Sequence, residues 1–170
     1  MPRQMLFYDR FDSPLGLLTV VRSAEGVCYI GLPNASLPGI EAHLRRHFAG
    51  SRLARSERPF SKERKQLLAF AEGRSKTLDM QLDHRNSAFA LEALEAVRQV
   101  PYGSTATYGD IARRMGRYGA SRAVGRAVAA NPLPLAIPCH RIVGSDGSLT
   151  GYGGGLPMKK ALLRLESRTP

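Results

Sequence analysis

The hydrophobic pattern of the chain changes character once, and that change limits the folds open to it. Up to about residue 83, short runs rich in aromatic and branched residues (5–11, 16–21 and 26–32) are separated by Ser13-Pro14-Leu15-Gly16 and Ser23-Ala24-Glu25-Gly26. Runs bounded by such turn formers read as strands. Ile40, Leu44 and Phe48 then recur at helical spacing, and residues 60–71 form a second expected helix. Residues 77–83 alternate Leu78, Met80 and Leu82 with polar neighbours, as a last strand would. Beyond His84-Arg85-Asn86 the alternation stops. Phe89, Leu91, Leu94 and Val97 mark a helix ended by Pro101, and further helices are expected over 108–115, 120–130 and 157–165. The expectation is an α+β chain of two domains, a small sheet with helices over 1–83 and a helical domain over 84–170.

Both parts are basic, but in the second the arginines gather in one segment. The chain carries a net charge of +11, and between Pro101 and Arg141 there are six arginines against one acid, Asp110. Thr105 or Thr107 can cap the helix that begins at Tyr108, and Gly116 can end it. Two short helices joined by a glycine-containing turn match the helix-turn-helix pattern. At about 100° per residue, Ala120, Ala123, Val124, Ala127 and Val128 fall on one side of the second helix. Arg122, Gly125, Arg126 and Ala129 fall on the other. Two readings stand side by side: an exposed basic helix, or a recognition helix whose small residues allow close approach to a groove while arginines meet phosphates.

The segment after this helix, from Asn131 to Val143, contains Pro138-Cys139-His140-Arg141, with one of the chain's two cysteines. A thiol attacks as thiolate and needs a group to take its proton. In an extended segment His140 would face away from Cys139, so the imidazole would act through water, oriented by a remote carboxylate such as Glu166. Asn131 can brace the segment through hydrogen bonds to its backbone. The competing reading is a small buried hydrophobe, the usual state of a free cysteine. A cysteine hydrolase would need a histidine of the second part beyond His140, and His43, His47 and His84 all lie earlier. Cys28 sits among apolar neighbours and reads as buried and inert. His43 and His47 share the i, i+4 spacing of a metal grip, yet the arginines between them favour a solvated face. Two cysteines argue against a disulfide framework, no apolar run approaches the roughly 20 residues of a membrane span, and residues 1–10 lack the apolar core of a signal peptide. These features suit a cytoplasmic protein.

The residues around Cys139 closely resemble the Pro-Cys-His-Arg signature of 6-O-alkylguanine-DNA alkyltransferases. The likeness extends to Pro101-Tyr102-Gly103, Thr107-Tyr108-Gly109-Asp110-Ile111-Ala112, Arg122-Ala123-Val124-Gly125 and Asn131-Pro132. After the cysteine it takes in Gly151-Tyr152-Gly153-Gly154-Gly155-Leu156 with Lys159, Leu162, Leu163 and Glu166, so that residues from about 85 to 166 are covered in register. The resemblance implies a ribonuclease-H-like first domain that supports a second one binding double-stranded DNA through a helix-turn-helix in the minor groove. It implies that Arg122 fills the gap left by an extruded base and that Tyr108 pushes the nucleotide outward. Ala120, Ser121 and Arg126 would lie against the DNA. The flipped alkylated guanine would then meet Tyr108, Ser145, Pro138, Val143 and the turn holding Gly153 and Gly154, with Tyr152 at the alkyl pocket. Cys139 would take the alkyl group once and irreversibly, helped by His140, Glu166 and Tyr108, while Arg141 and Asn131 support the segment. It also implies a monomer needing no cofactor, with cooperativity on DNA left open; Cys28, His43, His47 and His84 do not reproduce the spacing of the zinc site that some relatives carry, so no metal is expected. Ala93 and Leu94 stand where the family usually has Val and Trp. Relatives that only bind damaged bases replace the cysteine, which this chain keeps.

Overall fold

The computed structural model describes residues 4–56 and 58–168. The first three residues of the opening stretch lie outside them. The chain divides into two compact units, Met1–Arg85 and Asn86–Pro170, and is of mixed α+β class.

In the first unit, β1 (Met5–Ser13), β2 (Gly16–Arg22), β3 (Val27–Gly31) and β4 (Arg52–Arg55) form one four-stranded sheet in the order β3-β2-β1-β4. The first three strands are antiparallel neighbours, and β4 lies parallel to β1. The β1–β2 hairpin closes at Ser13↔Gly16, where Ser13 Oγ donates to the carbonyl of Gly16 at 2.7 Å. Helix α1 (Leu37–His47), capped by Ser36, lays Ile40 and Leu44 on the sheet. With Phe48 they join Leu6, Val21 and Cys28 in one buried cluster. Cys28 has no exposed surface, and burial pushes its pKa up to about 12; it is a core thiol. On β1, Asp9 and Phe11 point to the opposite face, where α2 (Ser61–Ala71) packs. There Arg64 pairs with Asp9 at 3.6 Å and lies 5.1 Å from the centre of the Phe11 ring.

Two expectations for this unit need correction. Residues 77–83 are not a strand. They meet β3 through a single bridge, Val27↔Leu82, and the carbonyl of Asp79 is taken by the Gln66 side chain at 2.7 Å. The fourth strand is β4, whose Leu53 and Ala54 are flanked by arginines and carry almost no apolar signal. His43 and His47 form a stacked pair, ring centres 4.4 Å apart, with Tyr29 5.1 Å from His43. Desolvation, with the charges of His47 and Arg46, lowers the pKa of His43 to about 4. The two rings are half-buried beside the exposed Arg45 and Arg46, so the face is packed in part and solvated in part.

The second unit is helical: α3 (Ala88–Arg98), α4 (Tyr108–Arg114), α5 (Ser121–Ala129) and α6 (Leu156–Arg168), with a short parallel pairing of β5 (Ala106–Thr107) and β6 (Ile142–Val143). Alanines bring α3 and α5 close together: Ala90, Ala93 and Ala127 form one cluster, against which Phe89 and Met115 pack. Thr107 is the α4 cap. Its hydroxyl accepts from the amide of Asp110 at 3.0 Å, and the Asp110 carboxylate accepts from the amide of Thr107 at 2.7 Å, closing a capping box. On α5, Val124, Ala127 and Val128 are buried while Arg122 and Arg126 are exposed, as its two-faced pattern requires.

Gly26 makes the tightest demand on the backbone. Its φ is +154, and an added Cβ would stand 2.5 Å from the Gln81 carbonyl oxygen. Gly26→Ala is expected to cost about 2–3 kcal/mol through this contact and the unfavourable φ, read as a lower urea midpoint.

Candidate active site

The segment after α5 is shaped by one side chain and by its prolines. Asn131 Nδ2 donates to the Ile137 carbonyl at 2.9 Å, while Oδ1 accepts from the Leu133 amide at 3.0 Å. The Ile137 amide donates back to Leu133 at 2.8 Å, closing the bend. Leu133, Leu135 and Ile137 are buried, which holds Leu135 at φ 73, a left-handed conformation costing a non-glycine residue on the order of 1 kcal/mol. Pro138, at φ −78 and ψ 64, centres an inverse γ-turn closed by the Cys139 amide donating to Ile137 at 2.7 Å. Cys139–Arg141 then form one 3-10 turn. This corrects the extended conformation expected here. At about 120° per residue, the three side chains point in three directions instead of alternating between two faces.

His140 and Arg141 converge on Glu166 of α6. His140 Nε2 lies 2.6 Å from Glu166 Oε1, and Arg141 donates from Nε at 3.0 Å to Oε2 and from Nη2 at 2.9 Å to Oε1. The Gly103 amide adds a bond to Oε2 at 2.9 Å, and Arg141 Nη1 donates to the Val100 carbonyl at 2.6 Å. The Tyr102 ring centre lies 5.5 Å from the Arg141 guanidinium carbon. Burial opposes ionisation of Glu166, but the bonds from His140 and Arg141 outweigh it and hold the pKa at about 2. Burial pushes the His140 pKa down, against the pull of Glu166, so the imidazole is neutral. An ionised carboxylate only accepts; Nε2 therefore carries the proton and Nδ1 a free lone pair. Nδ1 has no hydrogen-bond partner among the described residues.

Burial pushes the Cys139 thiol up, while a hydrogen bond from Asn131 and the charge of Lys159 act in the other direction. Lys159 has no exposed surface, and its Nζ donates to the carbonyls of Ile142, Thr150 and Gly151. It ties β6 to the loop that precedes α6. Cys139 lines a cavity of about 360 Å³ together with Tyr108, Gly125, Val128, Ala129, Gly151, Tyr152 and Gly153, a size in the range of small-molecule pockets. Thr150 Oγ1 donates to the Tyr108 hydroxyl at 3.3 Å beside it.

The structure thus gathers Cys139, Tyr108, Tyr152 and Gly153 around one cavity and joins His140, Arg141 and Glu166 in a buried cluster. Pro138 and Val143 are buried on either side of the 3-10 turn, Ser145 is exposed on the turn that follows, and Gly154 is half-buried next to the lining. Arg122 and Arg126 lie exposed on the face of α5 that gives the cavity Gly125 and Ala129; Ala120 and Ser121 are half-buried at its start. The sequence offers Lys159 and Gly103 only as parts of the resemblance, with no role attached, and gives no sign of Thr150. Lys159 had a readable signal: with Leu162 and Glu166 it occupies the helical spacing of the face of α6 that is buried.

This is an arrangement that can offer a thiol, with a neutral imidazole nearby, to a molecule seated under an arginine-bearing helix. Residues 88–168 match the model of the 6-O-methylguanine DNA methyltransferase DNA-binding domain. A methylated-DNA–protein-cysteine methyltransferase from Mycolicibacterium paratuberculosis is 39% identical over 166 residues, 96% of this chain and 94% of that protein. The solved O6-methylguanine methyltransferase of Mycobacterium tuberculosis is similar at a TM-score of 0.85 and 35% identity, covering 98% of this chain and 95% of that one. The Mycobacterium tuberculosis protein solved in complex with DNA gives a TM-score of 0.82 at 35% identity, over 95% of this chain and 92% of that one. The chain belongs to the methylated-DNA–protein-cysteine methyltransferase family.

The Glu166 cluster makes a pH prediction. A carboxyl whose pKa falls from 4.5 to about 2 on folding contributes stability that is complete above 4.5 and is lost as the pH drops towards 2. In Glu166→Gln this part of the pH dependence should vanish, and the neutral-pH unfolding free energy should fall by about 3–5 kcal/mol, because Arg141 loses its buried partner. Urea unfolding between pH 2 and 7 measures both.

Proposed function

We propose that this protein repairs DNA by direct reversal, moving the alkyl group of 6-O-alkylguanine in a duplex onto Cys139. The observation that carries the reading is that the cavity wall holding Cys139 shares Gly125 and Ala129 with the arginine face of α5. DNA lying on that face has its bases next to the thiol, and the DNA complex of the Mycobacterium tuberculosis relative supports DNA as the partner. The unit Asn86–Pro170 is the DNA-binding and alkyl-acceptor unit, with α4 and α5 as a helix-turn-helix that enters the minor groove. The order and pairing of the sheet support a ribonuclease-H-like label for the first unit, to which we assign a supporting role.

A base inside a duplex must leave the stack before a buried thiol can reach it. Arg122 fills the space it vacates, Tyr108 turns the nucleotide outward, and Ala120, Ser121 and Arg126 lie along the backbone. The extruded guanine enters between the 3-10 turn and the glycine loop, with Tyr152 beside its alkyl group. Val143, Pro138, Ser145, Gly153 and Gly154 surround the purine.

Burial keeps the thiol protonated at rest, so a proton acceptor is required. His140 Nδ1 takes the proton through a water molecule, and the resulting imidazolium is stabilised by Glu166. The thiolate attacks the alkyl carbon; the sulfur–carbon bond forms as the carbon–oxygen bond breaks, and the electron pair passes to the purine. Tyr108 protonates the leaving purine, supported by the Thr150 hydroxyl, and recovers its proton from solvent. No cofactor enters the scheme. The thioether product has no route back to a thiol, so each molecule acts once. By the same displacement 4-O-alkylthymine is a second substrate, and the acting species is a monomer.

Mixing the protein with a duplex containing one 6-O-methylguanine should add one methyl group, found by peptide mapping on the peptide bearing Cys139. Unmodified protein beside intact lesion would refute the reading. Arg122→Ala should slow repair of the duplex at least tenfold more than reaction with free 6-O-benzylguanine, which needs no extrusion. Equal slowing on both would remove Arg122 from base extrusion.

A further inference from the structure

The turn between α4 and α5 presents an aromatic side chain that neither the fold nor the chemistry above uses. Tyr118 is 82% exposed, the most exposed large hydrophobic side chain among the described residues. A lone exposed tyrosine is ordinary; the backbone beneath this one is not. The Ala120 amide donates to the Arg117 carbonyl at 3.1 Å, and Gly119 has a φ of +81. Together these describe a type II turn over 117–120 with Tyr118 at its outer corner. The turn is fastened to α3. Arg117 pairs with Glu92 at 3.0 Å, and its guanidinium carbon lies 5.8 Å from the centre of the Phe89 ring. Exposed arginines stand on both sides in the sequence, Arg113 and Arg114 before the turn and Arg122 and Arg126 after it. The latter two have no acidic partner among the described residues.

We infer that Tyr118 is a further contact to the sugar-phosphate backbone of duplex DNA, its ring against a deoxyribose and its hydroxyl donating to a phosphate. The inference rests on the DNA-binding reading above. Charge complementarity selects this occupant: Arg113 is paired with Asp110 and Arg117 with Glu92, but Arg122 and Arg126 beyond the turn leave positive charge beside the aromatic. Tyrosine is among the side chains that bond phosphate oxygens, and its two side-chain torsions make a fixed aromatic inexpensive to order. An apolar contact of this kind adds affinity without releasing counterions, so it differs from the arginines in its response to salt.

The test measures affinity for a fluorescent undamaged duplex by anisotropy over a range of salt concentrations. Tyr118→Ala should weaken binding about fivefold or more, the scale of a contact worth roughly 1 kcal/mol, and leave the slope of log affinity against log salt unchanged. Arg126→Ala should lower the magnitude of that slope by about one. Tyr118→Phe keeps the ring but loses the bond to phosphate, so it should bind more weakly than the wild type and more tightly than the alanine variant. Three results would overturn the inference: an alanine variant within about twofold of the wild type, a phenylalanine variant as weak as alanine, or a changed salt slope in Tyr118→Ala. Failure of the wild-type protein to bind duplex would instead bring down the DNA-binding reading itself.

Discussion

One buried carboxylate organises the second unit. Glu166 receives hydrogen bonds from the imidazole of His140, the guanidinium of Arg141 and the amide of Gly103, groups that come from two separate stretches of chain. A charge withdrawn from water must be matched in this way or it destabilises the fold. Matching it fixes the 3-10 turn over Cys139–Arg141, the bend over 101–104 and the docking of α6 together. It also decides which nitrogen of His140 is protonated, and so which one can accept a proton. Structure and chemistry depend on the same atoms.

Lys159 is the counterpart of Glu166 on the same helix face. Its ammonium, also buried, is surrounded by three backbone carbonyls, and its charge favours the thiolate form of Cys139 without touching the sulfur. The thiol is thus held between opposing influences: burial, which keeps it protonated, and Lys159 with Asn131, which ease its ionisation. A cysteine so placed is quiet in the resting protein and becomes nucleophilic when its proton has somewhere to go.

Much of this was legible beforehand. The three antiparallel strands, the Ile40, Leu44 and Phe48 stripe and the two faces of α5 follow from side-chain periodicity, which sees burial directly. What escaped depended on where backbone groups find partners. Residues 77–83 alternate like a strand, but only Val27 pairs with them, while β4 is a strand because β1 offers it an edge despite its arginines. The conformation at Cys139 was misjudged for the same reason: Asn131 and Pro138 turn the chain through hydrogen bonds that no periodicity reveals. Lys159 belongs to the resemblance, but its role stays hidden because a lysine reads as a surface residue until helical spacing is taken seriously. The Pro101-Tyr102-Gly103 stretch stood out as a resemblance before it had a reason; the ring lies over Arg141 and the glycine amide reaches Glu166.

The position of α6 in the chain has a further consequence. In the order of synthesis it follows every other part of the site, so a growing chain presents Asn131, the thiol and His140 before the carboxylate and the ammonium that order them exist. Until residue 166 is available, Arg141 has no carboxylate to pair with and the Gly103 amide lacks its acceptor. The sheet unit, made first, can fold without waiting, since the compact unit Met1–Arg85 is complete before any of these residues is made. Assembly of the thiol site is therefore a late event in the life of the polypeptide, and a nascent chain halted before α6 would carry the cysteine without its chemistry.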